Sequence, residues 1–344
     1  MTLFQQTAQS ALDYVRKSIG PGGAPSVEMS FDPRFEESFT GREARRKLTE
    51  TLGVDPGFDL ADEAFSAMVS LMLLTTTDSR PDRELIAPLF EQVERCRWRR
   101  RYRFLPESGL PADTDCTAMA TGALRELGML RVPDLQATVR ELSLAASHEP
   151  DGSEDLWPWV YLVYWEDGEE PGTLSRGRKH DAVVCANALY ALHLAGVPER
   201  MEERAVRDAT TRYLAAHLDS GRWLAGTRYY PSPQAFLHAL SRVCARFPEE
   251  MSTLTGSARS ALAELPTGET SLEVALHVLA ADNLGVQDGQ DERRLSLAEA
   301  QDSDGSWSAG AYYRMGRFQV YFGSRYLTTA FAMRALWRSG GVSR

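Results

Sequence analysis

Ten residues, Pro111-Ala112-Asp113-Thr114-Asp115-Cys116-Thr117-Ala118-Met119-Ala120, carry the densest chemical content of the chain. Two carboxylates two positions apart cannot share a face within a helix. Pro111 ahead of them and the apolar-periodic run behind place them at a helix entrance. There a carboxylate meets free N–H groups and the positive end of the helix dipole, which support its ionised form. Burial and a second carboxylate work the other way and keep a proton on the pair. A group protonated at rest, with a well-supported conjugate base, suits protonation of a carbon–carbon double bond. The plainer reading of Asp-x-Asp before a helix is an acidic N-cap.

A carbocation formed in this way needs π faces around it and no water. Aromatic residues cluster near the junctions of loops and helices. They are Trp157 and Trp159 with Tyr164; Tyr229-Tyr230; and Tyr313 with Phe318, Tyr321, Phe322 and Tyr326. These are the candidate pocket residues, weighed against the ordinary role of aromatics as core. Arg178 and Lys179 (with Arg176), and Arg314, Arg317 and Arg325, are candidates for binding a diphosphate, since arginine pairs well with phosphate oxygens; solvated loop charge is the alternative. The run Arg95 to Arg103 could hold a diphosphate or meet an anionic surface, with a solvated helix face as the default.

The elements that must position these groups are helical. Apolar residues recur at helical spacing in about a dozen segments, among them Asp62 to Leu74, Arg83 to Arg100, Thr117 to Leu127, Asp181 to Leu194, Gln234 to Arg246 and Arg325 to Arg338. That rhythm suits stacked helical hairpins. A Gln/acid–Gly–x–Trp element recurs loosely, most clearly at Gln301 to Trp307, more weakly at His217 to Trp223 and His148 to Trp157. Alternating β-type runs are rare, and no polar linker divides the 344 residues, so one domain over 1-344 is expected. A net charge of -10 argues against a nucleic-acid partner. Four scattered cysteines suggest neither zinc nor disulfides, and the absence of a leader or spanning segment points to a cytoplasmic protein.

Asp113-x-Asp115-Cys116-Thr117-Ala118-Met119 resembles the acid motif of the class II terpene cyclases: the squalene–hopene cyclases, the oxidosqualene cyclases and the copalyl diphosphate synthases. Gln301 to Trp307 resembles the Gln-Trp repeat of the same superfamily. The resemblance implies an all-α (α/α)6 barrel, the terpenoid cyclase and protein prenyltransferase toroid, here as the acid-bearing barrel alone. It implies Asp115 as proton donor, Asp113 as partner carboxylate and Cys116 beside them, in the place of a third aspartate. Hopene cyclases orient the acid with a histidine where this chain has Cys185, with His180 and Asn187 as substitutes.

The implied reaction is cyclisation of a linear isoprenoid, a prenyl diphosphate or a prenylated metabolite. No metal is required for initiation; a diphosphate substrate would bring Mg²⁺, for which the acidic loop Glu166 to Glu170 is a candidate site. The missing second barrel leaves room for a second copy or a partner protein, and an apolar substrate for peripheral membrane contact. Two other readings stay open: a catalytically silent toroid that binds an apolar ligand or a partner, and a glycosidase with separated carboxylates. A protein prenyltransferase is disfavoured because its Asp-x-Cys zinc spacing is absent.

Overall fold

A computed structural model describes residues 2–56, 60–75, 83–106, 109–147, 156–196, 200–316 and 318–337. The first part of the chain forms α1 (Leu3–Ser18), β1 (Glu28–Ser30), β2 (Phe39–Thr40), α2 (Gly41–Leu52), α3 (Phe65–Thr75) and α4 (Arg83–Arg95). It continues through β3 (Arg97–Trp98), β4 (Arg101–Tyr102), α5 (Thr114–Glu126), α6 (Val132–Leu144), α7 (Ala182–Leu194) and α8 (Met201–Asp219). The last part forms α9 (Pro233–Arg246), α10 (Ser252–Glu264), α11 (Ser271–Leu284), α12 (Gln290–Glu299), β5 (Tyr313–Arg314), β6 (Tyr321–Gly323) and α13 (Arg325–Leu336).

The helices sort into two concentric rings. Packing runs α3 to α5, α7, α9, α11, α13 and back to α3, so these six close an inner barrel. Outside them α4, α6, α8, α10, α12 and α1 each pack on one or two inner helices, and the result is the expected (α/α)6 toroid. Sequence decides which helix goes where. Helices α7 (AVVCANALYALHL), α11 and α13 show no polar stripe and are buried over most of their surface. By contrast α1 and α8 bury one stripe and leave charged residues outside.

Inner helices α5, α7, α9, α11 and α13 have side-chain-capped starts. Asp113 caps α5 by accepting from the Cys116 N–H at 2.7 Å, and Asp181 caps α7 by accepting from Val183 and Val184. Ser232 precedes Pro233 at the entrance of α9, and Ser324 caps α13.

The Gln-Trp element has a mechanical role. The buried Trp307 indole donates to the Leu297 carbonyl in the last turn of α12 at 2.7 Å, and the Gln301 amide donates to the Thr7 carbonyl of α1 at 3.0 Å. Trp223 repeats the device after α8, donating to Leu218 at 3.0 Å. Trp307 thus covers a terminal carbonyl of α12, and Trp223 adds a second donor to the Leu218 carbonyl, which the Gly221 N–H reaches at 3.2 Å. Of the third copy, residues 148–155 lie outside the described residues, and Trp157 is partly exposed.

Three sequence expectations are corrected. The helix expected through Arg100 stops at Arg95, and the basic run turns into the β3–β4 hairpin with Arg99 at φ 54°. Helices α2 and α12 are additional. A four-stranded sheet, ordered β2-β1-β6-β5, also appears, pairing Met29 with Phe322 and Tyr313 with Phe322. Its strands of two or three residues are too short to show an alternating pattern. At Gly323 a side chain would run into the Gly310 carbonyl oxygen, which is why the sheet can press against that segment.

We expect Trp307→Ala to destabilise the fold by roughly 3–5 kcal/mol, through lost burial and a carbonyl left unpaired, and Trp307→Phe by much less. Thermal or chemical denaturation of the two variants checks this.

Candidate active site

The segments that lead into inner helices converge at one end of the barrel around a cavity of about 550 Å³. Its lining includes Phe65 at the start of α3, Phe104, Leu110, Asp113, Asp115 and Cys116 at the entrance of α5, and Val163, Tyr164 and Val184 around the entrance of α7. Tyr229 and Tyr230 come from the loop before α9, and Tyr313, Met315, Phe318 and Phe322 from the β5–β6 segment.

Asp113 and Asp115 line the cavity at 6% and 8% exposure. Asp115 accepts from two donors: the Asn187 amide Nδ2 reaches Oδ1 at 2.8 Å, and the Tyr230 hydroxyl donates to Oδ2. The Tyr230 loop is held in turn by the N-cap of α7, since Asp181 Oδ2 accepts from the Tyr229 N–H at 2.9 Å. One aspartate therefore starts a helix and fixes the tyrosine that contacts the acid.

Burial pushes both carboxyls up. Asp113 rises to about 7, through burial first and the neighbouring Asp115 second. Asp115 rises to about 6 through burial, with the Tyr230 and Asn187 donors pulling back. The hydrogen bonds that lower it stabilise the carboxylate that proton loss would leave. Above Asp115 the walls are aromatic. Tyr313 stacks on Phe322 with centroids 4.8 Å apart and meets Phe65 and Phe104 edge-on at 5.4 and 5.5 Å, while Tyr230 meets Tyr312 edge-on at 5.5 Å. Such π faces stabilise positive charge in a dry space.

The cavity mouth is basic in an acidic protein. Arg176, Lys179, Arg228 and Arg314 line it, and among the described residues the carboxylate beside them is that of Asp55, which Arg45 already engages at 2.8 Å. Arg314 is braced by the carbonyls of Arg228 and Thr227, at 3.1 and 2.5 Å.

The residues singled out from sequence divide as follows. Asp113, Asp115, Cys116, Tyr164, Tyr229, Tyr230, Tyr313, Phe318, Phe322, Lys179 and Arg314 line the cavity. Of the three substitutes for an orienting histidine, Asn187 contacts Asp115. Cys185 turns its thiol to the Tyr161 carbonyl at 3.7 Å, and His180 spans that carbonyl and the Trp157 N–H, so neither reaches the acid.

Trp157 packs edge-on to Tyr213, and Trp159 packs against the core at φ 63°. Tyr326 spends its hydroxyl on Ser70 at 2.8 Å, and Tyr321 opens strand β6, paired with Ser30 and Arg314; none of these four lines the cavity. Arg178 donates to Ser147, and Arg325 pairs with Asp302 on the outside of the barrel, so neither faces it. Arg317 lies outside the described residues. The basic run binds the protein itself: Arg99, Arg101 and Arg103 pair with Glu169, Asp167 and Glu170. Those pairs also occupy the acidic loop considered for Mg²⁺, and among the described residues no cluster of ligands suits a metal. Phe65, Phe104, Arg228 and Arg242 were not picked out from sequence. Arg228 adjoins Tyr229-Tyr230, but nothing in the helical pattern around Arg242 distinguishes it.

No family model matches the chain. A drimenol cyclase from Aspergillus calidoustus is 27% identical over 209 residues, 59% of this chain and 38% of that protein, so the chain spans well under half of that relative. A variant of the type II terpene cyclase MstE from Scytonema, solved with geranylgeranyl dihydroxybenzoate, superposes with a TM-score of 0.62. It does so at 14% identity over 97% of this chain and 96% of its own. The fold is that of the class II terpene cyclases. An ent-copalyl diphosphate synthase from Streptomyces platensis shares it more distantly, with TM-score 0.51 and 17% identity over 85% of this chain and 53% of its own. The MstE likeness runs almost end to end over both chains. No described helix is long and apolar enough to cross a membrane.

The raised carboxyls have a thermodynamic consequence. Their folded-state values lie above the usual 3.8, so the protonated forms are the favoured guests. Stability from this source is fully present below pH 4 and is lost as pH rises through about 6 to 7. A double Asp113→Asn, Asp115→Asn variant should escape that loss and gain on the wild type, on the order of 2 kcal/mol or more, between pH 4 and 8. Denaturant unfolding of both proteins across that range checks it.

Proposed function

We propose that this chain, read as one α/α-barrel domain, is a protonation-initiated terpene cyclase whose substrate is a linear prenyl chain with an anionic head group. The observation that carries the reading is Asp115: a buried carboxyl at the wall of an aromatic cavity, with its proton favoured by burial and its conjugate base supported by two donors. The Asp115 O–H bond breaks toward the alkene, whose π electrons form the new C–H bond and leave a tertiary cation. Internal alkenes attack in turn, and the last cation loses a proton or captures water. The aromatic walls stabilise each positive centre and keep solvent out.

The basic mouth supports the head-group assignment. Arg176 and Arg228 are exposed, while Lys179 and Arg314 sit partly buried, so an anion bound there would leave the hydrocarbon tail pointing toward Asp115. Diphosphate and aromatic carboxylate both fit this charge, in keeping with the geranylgeranyl dihydroxybenzoate held by the Scytonema enzyme. Terminal deprotonation and water capture are alternative endings that cavity shape selects.

The purified protein should convert farnesyl diphosphate, geranylgeranyl diphosphate or geranylgeranyl dihydroxybenzoate to a cyclic product seen by mass spectrometry. Asp115→Asn keeps the shape and removes the acid, and should cut turnover at least 100-fold. Cyclisation that survives this substitution would refute the assignment. Turnover needs the protonated acid, so kcat should fall as pH rises through about 6. Arg176→Ala and Arg228→Ala should raise KM about tenfold for the anionic substrates with little change in kcat. An unchanged KM in both variants would remove the head-group assignment.

A further inference from the structure

The proton-transfer scheme leaves unused a cation beneath the acid. Arg242, on α9, donates from Nη1 to Asn187 Oδ1 at 3.2 Å and approaches Met119 Sδ at 3.8 Å. Its guanidinium lies 4.8 Å from the Tyr190 ring centroid. Glu126, the carboxylate nearby, is taken by Arg246 at 3.1 Å and the Tyr190 hydroxyl at 3.2 Å. Arginine can only donate, and an asparagine amide has one accepting end. Arg242 therefore holds Oδ1 of Asn187 toward itself, which turns Nδ2 toward Asp115 Oδ1 at 2.8 Å. A flipped amide would set NH₂ against guanidinium and carbonyl against carboxylate, unfavourable at both ends.

We propose that Arg242 is a positioning residue for proton transfer: it locks the Asn187 amide, confines the transferable proton of Asp115 to Oδ2, and supports the carboxylate left behind. With Oδ1 kept as an acceptor, the proton occupies the side of Oδ2 that Tyr230 leaves open.

The surroundings of Asp115 make Arg242 matter. On its own helix α5 stand Asp113 and Cys116, and on α7 the capping Asp181 and Cys185; Tyr229 and Tyr230 come from the loop before α9, and Tyr312 from the segment before β5. All of these are acidic or neutral. His238, on the same helix as Arg242, is pushed down to about 3 by burial, with Arg242 and the Arg334 of α13 adding to it, so it stays neutral. Arg242 supplies a positive charge that lowers Asp115 against the raising effect of Asp181, while Arg176, Lys179, Arg228 and Arg314 line the cavity mouth. Removing it has two coupled effects. The carboxyl keeps its proton to higher pH, and it becomes a weaker acid that delivers the proton more slowly. Packing damage alone slows turnover without moving the titration upward.

This inference rests on Asp115 as proton donor, so its test includes a measurement that needs no turnover. Full-length protein carrying ¹³C at aspartate Cγ is titrated by NMR, with the Asp115→Asn spectrum assigning the resonance. Arg242→Met and Arg242→Gln, which keeps donors and removes charge, should each raise the Asp115 midpoint by about 1 pH unit. Arg242→Lys, which keeps the charge, should raise it by less than half as much. In an Asn187→Ala background the Arg242→Gln effect should shrink by more than half, because the amide that relays it is gone. With farnesyl or geranylgeranyl diphosphate, whichever the wild type cyclises, kcat should fall ~10-fold at little change in KM, and the high-pH limb should move upward. Whichever charge-removing variant folds, a midpoint that stays put or falls overturns the role of Arg242. Cyclisation by Asp115→Asn instead overturns the acid assignment, and the NMR midpoint still reads the Arg242 coupling.

Discussion

The carboxyl of Asp115 lives under opposing demands, and the rest of the molecule answers to them. Kept dry, it retains its proton; stripped of partners, it could not afterwards bear a negative charge. The structure satisfies both by burying the group and giving each oxygen one donor, Asn187 from α7 and Tyr230 from the loop before α9. Three inner helices must therefore arrive at one point with ångström accuracy. The closed ring provides that accuracy, because no inner helix can shift without displacing two neighbours.

The direction of those helices matters as much as their closeness. Asp113 and Asp181 cap α5 and α7, and the loop before α9 opens at the same end, so helix starts gather around the cavity. Their positive dipole ends favour the carboxylate after the proton has gone. In the proposed cyclisation, aromatic faces then serve the cation that the proton creates. On that proposal, backbone charge serves the acid and side-chain quadrupoles serve the substrate.

Much of this is visible in sequence for physical reasons. Helical periodicity of apolar residues marks the inner ring strongly, since α7, α11 and α13 are buried over most of their surface. The acid motif is legible because capping, burial and chemistry share one short stretch. Legibility fails where partners come from afar. Asn187 is 72 positions from Asp115 and Tyr230 is 115, and which of Cys185, His180 and Asn187 meets the acid depends on helix rotation that spacing alone leaves open. Aromatics divide the same way: Tyr313 and Phe322 face the cavity while Tyr326 is spent on Ser70, a difference set by a sheet too short to announce itself. The basic run reads as a helix face until the loop at Glu166 to Glu170, far along the chain, folds over it.

That small sheet has an implication for synthesis. Strand β1, at residues 28–30, pairs with β6, at residues 321–323, and the pairing holds Phe322 in the cavity wall. A contact between segments nearly three hundred positions apart closes late, because its loop entropy must be met before it rewards the chain. A nascent polypeptide can assemble its early hairpins on the ribosome, yet this wall of the cavity stays open to water until residues 321–323 have emerged. Asp115 and the aromatic wall in front of it are thus enclosed together, late in folding.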